Sequence, residues 1–210
     1  MNKPKPAHQI FDKFANDYQE KYMDVNLYAD SFINFCYAIK QANPNILELA
    51  CGPGNVTKFL LQKRPDLQIL ATDLAPKMVA LAKENNPKVA GRLLDVRELD
   101  TLHQKFDAIM CAFCLPYLSK EETTKLFQDA HKALTTNGVM YTSTMEDDYS
   151  NSKVMGSETY GYLKMHFYQK EQLLKMLKEA DFQIIKTQRF VTHPTPNETV
   201  TDLTIIAQKS

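Results

Sequence analysis

Residues 46–50, Ile-Leu-Glu-Leu-Ala, run straight into Cys51-Gly52-Pro53-Gly54-Asn55, and a helical pattern restarts at Val56. No other feature constrains the fold as much. A short apolar run bounded by turn residues reads as a buried strand. Glycines directly after it let the backbone turn and approach a ligand closely. The alternation then continues. Residues 67–72, 89–94, 106–113 and 139–145 are strand-like, the second of these weakly so, and 56–63, 77–85 and 120–134 are helical, with a short helix or turn over 97–104. Asn137-Gly138 fits the C-terminal cap of the 120–134 helix. Strands alternating with helices require crossover connections, and so a mostly parallel sheet.

The two ends of the chain depart from this alternation. Residues 3–6 read as a frayed end. Phe11, Phe14, Tyr18 and Tyr22 recur at helical spacing, which predicts one amphipathic helix or a broken pair over 7–22, with a second helix over about 24–40. At the other end a helix over 169–180 is followed by strand-like 182–190 and 200–208, with a turn-rich loop at 193–197. Two consecutive strands form a hairpin, so the last strand should run antiparallel to the rest. Residues 146–168 remain as one long connection, and such connections usually act as lids or binding elements.

Bulk properties narrow the function classes. Lys plus Arg and Asp plus Glu both number 25, so the formal charge is zero, which lacks the strong positive field of non-specific nucleic-acid binders. No signal-peptide pattern stands at the N-terminus, and no segment approaches the ~18 apolar residues that cross a bilayer. Four cysteines in 210 residues are not a secreted disulfide framework. The expected compartment is cytoplasmic, with no membrane and no nucleic-acid partner.

In an open parallel sheet, ligands bind beyond the carboxyl ends of the strands where the winding reverses. A dinucleotide fingerprint needs three glycines around a pyrophosphate. Counted from Ala50 its third glycine falls on Asn55, and counted from Gly52 it falls on Thr57. The carboxylate of Glu48, just ahead of the loop, suits a cationic ligand better than a phosphate.

Leu47-Glu48-Leu49-Ala50-Cys51-Gly52-Pro53-Gly54 resembles the first motif of class I S-adenosylmethionine-dependent methyltransferases, with Ala50 where the first glycine usually stands. Thr72-Asp73-Leu74-Ala75-Pro76-Lys77-Met78 resembles the second motif, Leu94-Asp95-Val96 the third and Phe106 to Phe113 the fourth. The resemblance implies an α/β, Rossmann-like, seven-stranded mostly parallel sheet. It would have a C-terminal antiparallel hairpin, helices on both faces and an N-terminal helical cap. That cap takes 1–40, and a methyltransferase domain takes 41–210 with a lid insertion at about 146–168, together one structural domain. It implies S-adenosyl-L-methionine as cofactor, leaving as S-adenosyl-L-homocysteine.

The cofactor-binding set so implied is Glu48, Ala50, Cys51, Gly52, Gly54, Asp73, Leu74, Met78, Asp95, Val96, Cys111, Phe113 and Tyr18. Asp73 would hold both ribose hydroxyls and Asp95 the adenine amino group. Either acid could instead cap the helix that follows it. The activity implied is in-line methyl transfer to a small-molecule acceptor, by a monomer or homodimer. Where the acceptor must lose a proton, His166, Tyr117 and Glu146 are the candidate bases. Tyr117 stands where the family often carries a histidine. The acidic and aromatic 146–168 segment suits a polar or amine-bearing acceptor. Cys51, Cys111 and Cys114 should lie near one another, read as small core or cleft residues rather than metal ligands. Two other readings are a catalytically silent S-adenosylmethionine-binding module and a nicotinamide-dependent oxidoreductase.

Overall fold

The computed structural model describes residues 3–195 and 198–210. In it the 46–50 run forms strand β1, Asn45–Leu49. Successive side chains of a strand point to opposite faces, and here both faces are buried. Leu47 and Leu49 enter one core with Ile109, Phe127, Met140 and Leu203. Ile46 enters the other with Phe35, Phe59, Met110 and Tyr141. A strand packed on both sides is apolar throughout rather than alternating, which makes β1 legible in the sequence.

Ahead of β1 lie α1 (Ala7–Lys13) and α2 (Ala15–Tyr22), broken at Phe14 (φ −111°, ψ 30°), and α3 (Ala29–Ala38). Behind it come α4 (Asn55–Lys63), β2 (Gln68–Asp73), α5 (Pro76–Asn85) and β3 (Ala90–Leu93). A 3-10 turn, Val96–Thr101, leads to β4 (Phe106–Cys111), α6 (Lys120–Ala133) and β5 (Leu134–Met145). Two short strands follow, β6 (Lys153–Ser157) and β7 (Gly161–Met165), then α7 (Lys170–Glu179), β8 (Phe182–Thr195) and β9 (Glu198–Lys209).

The main sheet has the order β3-β2-β1-β4-β5-β9-β8. Strands β1 to β5 pair in parallel, and β9 runs antiparallel to both of its neighbours, as expected of the last strand. The winding reverses between β1 and β4, so the crevice for a ligand opens beyond their carboxyl ends.

Four local expectations are corrected. Asn137-Gly138 does not cap α6. That helix stops at Ala133, and Leu134, 1% exposed, pairs with Phe106 on β4. The next pair is Ala108 with Val139, so residues 135–138 loop out, with Asn137 left-handed at φ 60°. Strand β4 ends at Cys111 because Phe113 is left-handed at φ 52°. Residues 146–168 are not one long connection but contain the β6–β7 hairpin. Strand β6 is exposed along its whole length, so no burial period betrays it. At Gly156 (φ 141°) a Cβ would lie 2.0 Å from the Gly161 carbonyl oxygen. Finally, residues 3–6 do not end free. The Lys5 N–H donates to the Tyr162 carbonyl at 2.8 Å, and the Phe14 and Tyr160 rings meet edge to face at 5.0 Å. Of the loop expected at 193–197, Pro196 and Asn197 lie outside the described residues. No helix among the described residues is long and apolar enough to cross a membrane.

Candidate active site

The Cys51 N–H donates to the Thr72 carbonyl at 2.9 Å, which extends the β1–β2 ladder past the end of β1. The chain turns here through Ala50, Gly52 and Gly54, all left-handed at φ 51°, 54° and 79°. For alanine that conformation costs about 1–2 kcal/mol. The two glycines are needed for different reasons. A Cβ on Gly54 would lie 2.9 Å from the Ala82 Cα and 2.5 Å from the Asn86 Nδ2, so its absence lets α4 start against α5. A Cβ on Gly52 would meet nothing nearer than Tyr18, at 3.8 Å. Gly52 faces a cavity.

That cavity measures about 550 Å³, within the range of small-molecule sites. At its floor the Asp73 carboxylate accepts from the Gly52 N–H at 3.0 Å and the Ala75 N–H at 2.8 Å. Burial pushes its pKa up, and those amides oppose the shift. Two of a carboxylate's roughly four acceptor sites are thereby engaged. Asp73 does not cap α5, whose N-cap is Ala75. Asp95 does cap the turn behind it, accepting from the Arg97 N–H at 3.0 Å, and it also grips the Arg97 guanidinium at 2.6–3.0 Å. Its pKa is lowered. Burial acts against that shift and is outweighed by the Arg97 contacts.

The residues expected around a cofactor divide into two sets. Tyr18, Ala50, Gly52, Asp73, Leu74, Met78, Asp95, Val96 and Phe113 line the cavity. Glu48, Cys51, Gly54 and Cys111 are absent from its wall. Glu48 is 2% exposed on the α4 side of the sheet, where Thr57 Oγ1 donates to it. Burial raises its pKa to about 7. Cys51 and Cys111 pack into the two different cores, so the three thiols do not share one cleft, and only Cys114 reaches the cavity. Burial first, then the nearby carboxylates of Glu48 and Asp73, hold the Cys51 thiol well above its usual range. It is an unreactive core thiol.

The three candidate bases separate as clearly. Glu146 is not in the cavity wall. It accepts from Arg189 Nε at 2.5 Å and from the Lys170 N–H at 3.2 Å, which holds its carboxyl below the usual range. Tyr117 lines the cavity against Phe11, ring centroids 5.2 Å apart, but burial pushes its phenol far up. His166 lines the cavity and is 6% exposed. Its backbone N–H donates to the Pro116 carbonyl at 2.7 Å, and its ring stacks on Tyr149 at 5.6 Å. Its Nδ1 is buried without a hydrogen-bond partner. Burial lowers its pKa, Lys164 adds to that, and Glu121 and Glu122 oppose it.

Sequence reasoning missed the cavity's basic side chains, Lys5, His8, Arg97 and Lys164. Arg97 was within reach of inference, because it stands two residues after Asp95. Lys5 and Lys164 were not, because only the contact between the N-terminal segment and β7 brings both to one cavity. Tyr22 is 42% exposed and outside the cavity, whereas the half-buried Tyr18, its phenol raised to about 12 chiefly by burial, sits over Gly52.

The seven-stranded order with an antiparallel β9 between β5 and β8, a glycine loop at the switch point and an acid at the end of β2 give this chain the fold of class I methyltransferases. Residues 46–138 match the family model described as a methyltransferase domain. A malonyl-[acyl-carrier protein] O-methyltransferase from Paenibacillus sp. (strain JDR-2) is 30% identical over 137 residues, 59% of this chain and 50% of that protein. The chain spans half or less of the length of the first curated relatives that it matches. Among solved structures, the Burkholderia thailandensis 1,6-didemethyltoxoflavin-N1-methyltransferase, with bound 1,6-didemethyltoxoflavin and S-adenosylhomocysteine, superposes with a TM-score of 0.73. It is 20% identical, covering 97% of this chain and 87% of that one. The N-methyltransferase NodS from Bradyrhizobium japonicum WM9, in complex with S-adenosylhomocysteine, also gives 0.73, at 15% identity over 98% and 99%.

Proposed function

We propose that this chain transfers a methyl group from S-adenosylmethionine to a small-molecule acceptor. The observation that carries the reading is one continuous cavity. It joins Gly52, Asp73 and Asp95 at the strand ends to Tyr117, Lys164 and His166 beneath the hairpin. The cofactor suits the first half on the chemistry present. Asp73 has acceptor capacity left for a diol, Gly52 leaves its backbone open, and Leu74, Met78 and Val96 offer apolar walls. Solved neighbours that hold S-adenosylhomocysteine support the same assignment. When bound, S-adenosylmethionine supplies a methyl group already activated on a sulfonium, so the protein's task is alignment and exclusion of water. In this reading Tyr18, Phe11 and the N-terminal segment close the cavity from above. His166, neutral near pH 7 because burial lowers its pKa, takes the proton that the acceptor loses.

The test is calorimetric titration with S-adenosylhomocysteine. Saturable binding is expected in the wild type, with Asp73→Ala weakened at least about tenfold. Wild-type affinity in Asp73→Ala would remove the ribose assignment, and no binding at millimolar ligand would remove the whole reading.

A further inference from the structure

The sequence suggested a polar or amine-bearing acceptor on account of the acidic and aromatic residues of 146–168. Their placement argues the reverse. Glu146, Asp147 and Asp148 do not line the cavity, and Glu146 is paired with Arg189. The hairpin instead presents Lys164 and His166 to the cavity, and the N-terminal segment presents Lys5 and His8.

The carboxylates that do line it are already engaged. Asp95 and Glu122 share Arg97, with Glu122 at 3.3 Å from Nη1, and Glu122 also accepts from the Ser119 N–H at 2.7 Å in the α6 capping box. Asp73 is tied to the glycine loop. Lys5 and Lys164 take part in no ion pair among the described residues. Yet the hydrogen bond from the Lys5 N–H to the Tyr162 carbonyl, two residues before Lys164, holds both in the wall of one cavity. Both lysines are exposed at the cavity wall, free of a carboxylate partner among the described residues, and an anion bound in that part of the cavity gains attraction from both.

We propose that the acceptor carries an anionic group, carboxylate or phosphate, anchored by Lys164 and Lys5 beneath the hairpin. This rests on the methyl-transfer reading and names its substrate class. The anchor is a specificity device separate from the cofactor half of the cavity. Neither lysine belongs to the set that would hold S-adenosylmethionine.

The experiment uses hydroxybenzoates, aminobenzoates and hydroxyalkanoates, each beside its neutral primary amide, with hydroxyphenyl phosphates as a third arm. S-adenosylhomocysteine release is measured for turnover, and calorimetry on the protein saturated with S-adenosylhomocysteine measures acceptor binding. Ionised members should bind and react in preference to their amides, and the carboxylate and phosphate arms then say which anion is preferred. Lys164→Met and Lys164→Glu should raise KM for ionised acceptors by at least about tenfold. Lys5→Met should do so by a smaller factor, and affinity for S-adenosylhomocysteine should be retained in all three. Amides that perform as well as acids, charge reversal at Lys164 without effect, or no anion binding to the saturated protein would each overturn the proposal while leaving the cofactor reading intact. Failure of the wild type to bind S-adenosylhomocysteine would sink that underlying reading, and this one with it.

Discussion

Two glycines two residues apart look equivalent in a motif and are not. Gly54 adopts φ 79° and leaves no room for a Cβ between the start of α4 and Ala82. Gly52 adopts φ 54° and faces open cavity. Gly54→Ala combines left-handed strain with overpacking and should cost about 2–4 kcal/mol in urea unfolding. Gly52→Ala should cost only about 1 kcal/mol, while S-adenosylhomocysteine affinity falls sharply, because its methyl group enters the cavity beside Asp73. Equal stability losses in the two variants would refute this division of labour. Ala50, left-handed at φ 51°, shows why the related motif prefers glycine there. The cost of alanine is modest enough for this chain to carry it.

At the scale of elements, the informative unit is the pair formed by the N-terminal segment with α1 and the β6–β7 hairpin. They lie far apart in sequence, yet the Lys5–Tyr162 hydrogen bond and the Phe14–Tyr160 contact, spanning 157 and 146 residues, fasten them together. Strand β7 carries Lys164 and leads directly to His166. Groups facing that imidazole come from several elements: Lys164 on β7, Glu121 and Glu122 on α6, and Tyr149 stacked on the ring. Burial dominates and lowers the pKa. A base must be unprotonated, so kcat/KM should stay flat around neutrality and fall only as pH drops through a value below the ordinary imidazole range. His166→Gln should reduce kcat/KM by about 10²–10⁴ and abolish that acid limb. An unaltered pH profile in His166→Gln would return the histidine to a packing role.

For the whole molecule, the sheet buries two acids, Asp202 on β9 and Glu48 among the parallel strands. Glu48 lies on β1, which pairs with β2 on one side and β4 on the other, and its pKa is raised to about 7 by burial. The fold therefore binds a proton more tightly than the unfolded chain, whose carboxyl titrates near the ordinary value. The stability linked to that proton is fully present below about pH 4.5 and is lost as pH rises through about 7. Glu48→Gln removes this dependence. In urea unfolding at pH 5 and pH 8, the variant should gain on the wild type as pH rises, by at most on the order of 3 kcal/mol. A difference that does not change with pH would show that Glu48 is ionised in the fold.

Much of the architecture was legible in order of appearance. The parallel core strands are buried on both faces and announce themselves as apolar runs. The helices between them carry their own periods and caps. Strand β3 reads weakly because it lies at the sheet edge, with Ala90, Arg92 and Leu93 exposed. Strand β6 does not read at all, because it is exposed throughout. Of the site, the glycine loop, Asp73 and Asp95 were legible because their spacing follows the strand-turn-helix unit that creates them.

By itself, then, the sequence determined the strand-and-helix alternation, the switch-point loop and the acids at the ends of the second and third strands, since all of these depend on near neighbours in the chain. Only the tertiary structure decided that Glu48 faces a core and not the cavity, that Cys51 and Cys111 lie in different cores, and that Lys5 and Lys164 line one cavity. Which face a side chain takes, and which distant segment lies opposite, is settled by packing across the sheet and by contacts between its ends, and local pattern carries no record of either.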